Sequence, residues 1–217
     1  MIRENVLEVR KRISAACLRA KRDPAAVQLI VVSKNRGIEE IGEAIAAGIT
    51  TFGENRVQEV LSKYNNLQAS LKWQMVGHLQ TNKAKEAVKV FDLIHSVDSL
   101  RLAEEIDKQA SKINKIQDIL IEVKTSGEAT KFGIEPDEAS GLIKEMSGFK
   151  HINIKGLMTI APLADNSEEA RPYFRRLREL RDKINPTFLL SMGMTDDFEA
   201  AIEEGSDILR IGRAIFE

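Results

Sequence analysis

Leu29-Ile30-Val31-Val32-Ser33-Lys34 is a β-branched apolar run that ends on a lysine, followed by Asn35-Arg36-Gly37 and then a helical pattern. A short apolar run bounded by turn residues reads as a buried strand. Strands covered on both faces lose their polar alternation and belong to parallel sheets lined by helices. A lysine where such a strand surfaces stands at the edge where α/β proteins bind ligands. Taken alone, the stretch is better read as ending in a solvated loop lysine. The flanking chain decides between the two.

Upstream, Ile2, Val6, Val9, Ile13, Ala16, Cys17 and Ala20 recur at threes and fours, which predicts an amphipathic helix over 2–21 that Pro24 ends. Downstream, further strands are predicted at 50–55, 73–78, 93–97, 118–124, 154–160, 188–194 and 208–212. Helical patterns separate them: 38–47 with Gly48 as its cap glycine, from Val57, 82–90, from Ser99 as N-cap, from Pro136, 167–184, and from the capping-box pair Asp196 and Glu199 to Gly205. Eight strands in strict alternation with helices favour a single-domain (β/α)8 barrel of the TIM type over residues 1–217, rather than an open doubly wound sheet. The last strand leaves no room for a full helix after it. The extra N-terminal helix is expected to cover that gap.

Composition narrows the function. The 217 residues are 43% hydrophobic and 30% charged with a formal net charge of -1, which gives no long-range pull towards nucleic acid or an anionic membrane. The only cysteine, Cys17, falls on the apolar face of the first helix, so no intrachain disulfide can form. The N-terminus mixes both charge signs, unlike a signal peptide. No run approaches the roughly 18 apolar residues of a membrane span. A cytoplasmic protein is expected. Arg171, Arg175, Arg176, Arg178 and Arg181, interleaved with Glu168, Glu169 and Glu179, read as a solvated helix face.

In such a barrel the chemistry sits at the C-terminal ends of the strands. Those ends carry Lys34, Asn55, His78, Ser96, Lys124, Met158 or Thr159, Ser191-Met192-Gly193 and Arg210-Ile211-Gly212. Loops after the last two strands often bind phosphate through backbone N–H groups and a helix N-terminus. Ser191, Gly193 and Gly212, with a helix starting near Thr195 or Asp196, have the make-up of such a cradle. Lysine can hold an aldehyde as a Schiff base, and pyridoxal phosphate brings an aldehyde, a phosphate and a ring nitrogen needing a partner. Arg210 suits the nitrogen, because a fixed positive charge discourages its protonation and weakens the electron sink. His78, His95 and His151 show no metal-ligand spacing, and no nucleophile elbow is present. The loop 125–133 is long for a strand-to-helix connection, a mark of function.

The segments Val32-Ser33-Lys34, Phe52-Gly53-Glu54-Asn55-Arg56-Val57-Gln58-Glu59, Gly77-His78-Leu79-Gln80-Thr81-Asn82-Lys83, Thr125-Ser126-Gly127-Glu128, Lys131-Phe132-Gly133, Gly156-Leu157-Met158-Thr159, Leu190-Ser191-Met192-Gly193-Met194 and Arg210-Ile211-Gly212 resemble, in order and over essentially the whole chain, the pyridoxal phosphate homeostasis protein family. These are small relatives of the barrel half of alanine racemase. The resemblance implies a protein that holds and releases pyridoxal 5′-phosphate as a lysine aldimine in vitamin B6 and amino-acid homeostasis, without efficient turnover. It assigns the aldimine to Lys34, the ring nitrogen to Arg210, and the phosphate to Ser191, Gly212 and Arg213. Asn55, His78, Met158 and Gly193 complete the expected cofactor-binding set. Arg213 replaces the family's threonine, which puts that side-chain role in question, and Trp73-Gln74-Met75-Val76-Gly77-His78 varies the usual strand. Recipients of the cofactor would be apo-enzymes that depend on it.

The alternatives are a small amino-acid racemase and a cofactor-free phosphosugar enzyme. Racemisation needs an acid/base on each face of the α-carbon. In alanine racemase a second domain supplies the opposing tyrosine; here Tyr64 and Tyr173 both fall on helical patterns, so inefficient racemisation is expected.

Overall fold

Strand β1 runs Gln28–Val32 in the computed structural model, which describes residues 1–64, 66–67, 71–128, 132–163 and 166–217. It is followed by β2 (Thr51–Glu54), β3 (Lys72–Met75), β4 (Leu93–Val97), β5 (Gln117–Glu122), β6 (Ile152–Met158), β7 (Leu189–Ser191) and β8 (Ile208–Ile211). Each pairs in parallel with its sequence neighbours, and β8 returns to β1 to close the expected eight-stranded barrel. The helices are α1 (Ile2–Arg19), α2 (Ile38–Ala46), α3 (Val57–Tyr64), α4 (Ala84–Val90), α5 (Leu100–Lys112), α6 (Ala139–Met146), α7 (Ser167–Ile184), α8 (Phe198–Glu203) and the single turn α9 (Arg213–Phe216). Among the described residues no helix is long and apolar enough to cross a membrane.

The two-residue period of a strand sorts its side chains between two cores. Val31, Phe52, Trp73, Ile94, Ile119, Leu157, Leu190 and Leu209 face outward and are buried against the helices. Ile30, Leu93, Leu120, Met158 and Ile208 face inward and fill the lumen as a separate apolar plug. The next inward positions towards the C-terminal rim are polar: His95, Glu122 and Arg210. The lumen is thus a greasy floor under a buried polar layer.

Helix α1 covers the β8/β1 seam. It packs on α2, α8 and α9, Asn5 donates to the Ile215 carbonyl (3.0 Å), and Arg12 and Arg19 both pair with Glu199. Cys17 is fully buried in that seam's core.

Four local expectations are corrected. The first strand ends at Val32, because Ser33 to Arg36 closes into a turn (Arg36 N–H to Ser33 C=O, 3.1 Å) that needs a positive φ at Asn35. Pro136 does not open a helix; it lies in a turn closed by Glu138 N–H on Glu135 C=O, and α6 begins at Ala139. The Asp196/Glu199 capping box does not form, since Asp196 pairs with Arg213 and Asp197 takes the N-cap position of α8. The arginine face is solvated only in part: Arg175 and Arg176 are exposed, yet Arg171, Arg175 and Arg178 converge from α7 on the buried carboxylate of Glu204, at 3.5, 2.9 and 2.7 Å. Lys131, part of the quoted sequence pattern, lies outside the described residues.

Candidate functional site at the C-terminal mouth

Lys34 occupies the turn just past β1. It is exposed and makes no hydrogen bond or ion pair among the described residues. Lys124, the other strand-end lysine, lies 3.7 Å from Glu135. Past β2 and β3, Asn55 and His78 line a cavity of about 530 Å³ with Arg56, Lys83 and Phe132. Phe132 stacks on the His78 ring at 3.8 Å, and His78 Nδ1 lies 3.6 Å from Asp98. Glycine is required at position 77: a Cβ there would stand 2.6 Å from the Asn55 carbonyl oxygen. A second cavity, of about 570 Å³ between Arg10, Gln28, Thr51 and Lys72, opens at the opposite, N-terminal end of the strands, away from this constellation.

Inside the mouth lies a directed hydrogen-bond chain. The Arg210 guanidinium donates to Ser191 Oγ (2.5 Å) and to the Thr159 carbonyl (2.8 Å). Ser191 Oγ lies 2.9 Å from His95 Nδ1, and His95 Nε2 lies 2.7 Å from Gln74 Oε1. Because the Gln74 oxygen only accepts, Nε2 carries the proton; this assigns Ser191 as donor to Nδ1. Burial, reinforced by Arg210, drives the His95 pKa far below its ordinary value, so the ring is neutral. Burial also lowers Arg210 to about 10, opposed by Asp197 and Glu122, and it stays charged at neutral pH. Met158 is fully buried in the lumen plug beneath these groups.

Ser191, whose hydroxyl is expected to meet phosphate, hydrogen-bonds Arg210 and His95 here. Gly193 has a φ of +97°, and a Cβ would approach Ala201 Cβ to 2.6 Å, so glycine there lets the strand turn tightly onto α8. At the start of α9, the Gly212 and Arg213 amides make no hydrogen bond among the described residues, as in any first helical turn. Thr195 Oγ1 accepts from the Ala214 amide (3.3 Å), which places a hydroxyl beside them. The Arg213 side chain is turned to Asp196.

Sequence reasoning missed three groups. Thr195 was read only as part of a helix start. Glu54 and Lys63 form a buried ion pair of 2.6 Å beneath the Lys34 turn. Glu122, a charged residue in an apolar strand, is buried with Oε2 unpartnered among the described residues, and its inward register was the available signal.

Burial, with Asp98 adding and Arg210 opposing, raises the Glu122 pKa from 4.5 to about 7. Between those values the folded chain keeps a proton that the unfolded chain has lost. This group's contribution is therefore most favourable below pH 4.5, falls as pH rises towards 7, and is flat above. Glu122→Gln should raise stability at pH 8 by roughly 3 kcal/mol relative to its effect at pH 4, at about 1.4 kcal/mol per factor of ten in ionisation. Urea unfolding of the cofactor-free protein at both pH values checks it; equal effects would refute the assignment.

A closed barrel with a rim lysine just past its first strand and a buried arginine on its last defines a class, and the family model for the alanine racemase N-terminal domain matches residues 2–217. A pyridoxal phosphate homeostasis protein of Aquifex aeolicus is 46% identical over 98% of this chain and 96% of its own. PipY of Synechococcus elongatus, solved with pyridoxal phosphate bound, is 37% identical over the full length of both chains with a TM-score of 0.85. The chain belongs to the pyridoxal phosphate homeostasis protein family. An alanine racemase of Clostridium difficile shares the fold alone, at 15% identity and a TM-score of 0.75 over 56% of that protein.

Proposed function

We propose that this chain binds pyridoxal 5′-phosphate covalently through Lys34 at the barrel mouth, and holds and releases it in vitamin B6 and amino-acid homeostasis rather than turning over a substrate. The observation that carries the reading is the full-length likeness to PipY, whose structure holds that cofactor. The residues fit the group. When bound, it supplies an electrophilic aldehyde carbon. Lys34 would hold the group through its amine, which makes no hydrogen bond or ion pair among the described residues that would have to be broken. The Gly212 and Arg213 amides and the Thr195 hydroxyl can hold phosphate, and Gly193 shapes their approach. Arg210 hydrogen-bonds only neutral oxygens among the described residues, leaving its charge to act on a ring nitrogen. Asn55 and His78 flank the mouth, and Met158 floors it. A cytoplasmic setting and transfer to apo-enzymes belong to the same proposal.

Mixing the purified protein with pyridoxal phosphate should give a visible absorbance band. Borohydride followed by peptide mapping should fix the pyridoxyl group on Lys34, and a label confined to Lys124 would overturn the assignment.

A racemase is the competing reading. The protein should exchange the α-proton of L- or D-alanine slowly, because Arg210 discourages protonation of the ring nitrogen. NMR in heavy water with chiral analysis reads this. Turnover at an ordinary enzyme rate of roughly 1–10³ per second would replace the carrier by an enzyme.

A further inference from the structure

The residues on either side of Lys34 are both tied to α3. Lys63 reaches from α3 to donate to the Ser33 carbonyl at 2.8 Å and to Glu54 Oε1 at 2.6 Å. Ser33 Oγ donates to the same Glu54 oxygen at 2.7 Å. One turn earlier on α3, Glu59 accepts from the Asn35 amide at 3.1 Å and lies 3.9 Å from Lys63. Lys34 itself touches none of these groups. We propose that Lys63, held by Glu54 and Glu59, is a positioning residue that fixes the turn from which Lys34 projects; this rests on the reading of Lys34 as the attachment point.

The arrangement has the form of a clamp rather than of ordinary core. An ion pair with one member fully buried and the other 9% exposed gains little net stability from charge alone, since desolvation offsets attraction. Burial pushes the Glu54 carboxyl up even against its bonds from Lys63 and Ser33. What the pair supplies is direction: two bonds converge on Ser33, one from Lys63 and one to Glu54, a third between Lys63 and Glu54 closes the triangle, and a fourth holds Asn35 in the left-handed region at a φ of +60°. The peptide group before Lys34 therefore cannot rotate without breaking the buried bond from Lys63, and the one after it cannot rotate without breaking the exposed bond to Glu59. Preorganisation of this kind lowers the ordering cost of each attachment.

The test is a double-mutant cycle with pyridoxal phosphate as the probe. Lys63→Met should weaken binding about tenfold when Lys34 is present and less than twofold in a Lys34→Ala background, measured by equilibrium dialysis. In cofactor-free Lys63→Met protein, hydrogen exchange at the Asn35 and Arg36 amides should speed up while the plug strands stay protected. Should Lys63→Met fail to fold, Glu59→Ala, on a more exposed residue, carries the same cycle with the same sign. Equal weakening in both backgrounds, no weakening in either, or unchanged exchange at Asn35 and Arg36 overturns the positioning role. If wild-type protein takes no label on Lys34, the attachment reading itself fails and takes this inference with it. A labelled Lys34 with a flat cycle removes the clamp alone.

Discussion

Lys34→Ala should abolish both the visible band and the borohydride-fixed label, and do so without unfolding the protein. The side chain is exposed and makes no hydrogen bond or ion pair among the described residues, so its removal belongs with surface changes that alter stability by within about 0.5 kcal/mol. For a chain of this size that moves the thermal midpoint by roughly 1–2 °C. Loss of the covalent bond with an unmoved melting curve separates chemistry from folding. Lys124→Met is the paired control: its amine faces Glu135, and both signals should survive its loss. A label persisting in Lys34→Ala protein, at whatever residue, would show that the attachment point has been misread.

Pyridoxal lacking its phosphate should bind about 10²–10⁴-fold more weakly than the phosphate ester. Two charge-assisted bonds from free backbone amides, at about 1.5–3 kcal/mol each, give that range. Thr195→Val should cost roughly five- to tenfold through one hydroxyl bond of about 1 kcal/mol. Arg213→Ala should matter far less, because its guanidinium already faces Asp196 and the amide survives the substitution. Equal affinity for pyridoxal and its phosphate ester in a titration would refute the cradle at α9. A collapse of binding in Arg213→Ala would show that the side chain, not the backbone, holds the anion.

The barrel was legible because burial on both faces writes itself as unbroken apolar runs, and Ile119-Leu120-Ile121 or Leu29-Ile30-Val31 can hardly be anything else. Lys34 and Arg210 were legible as charges at the edge of such runs. The clamp was not. Glu54 and Lys63 are nine positions apart on a strand and a helix, and nothing local says that their side chains meet. The Arg210–Ser191–His95–Gln74 chain draws on four strands, so only closure of the barrel brings it together. The arginines of α7 misled for the same reason: their partner, Glu204, lies 33 positions beyond Arg171 in a segment that reads as helix end. Asp196 failed as a cap because Arg213 competed for its carboxylate.

The seam sealed by α1 also sets an order of events during synthesis. Asn5 bonds a carbonyl 210 positions later, and Arg36 reaches Glu217 at 2.6 Å, across 181 positions. Helix α1 can meet α2 early, but its partners α8 and α9 follow far later in the chain, so its apolar stripe of Val6, Val9 and Ile13 is fully covered only when they emerge. Loop closure of that length is paid for only at the end. A nascent chain stalled before residue 198 should therefore be a client for chaperones that bind amphipathic helices, and releasing it should bury that stripe in one late, cooperative step.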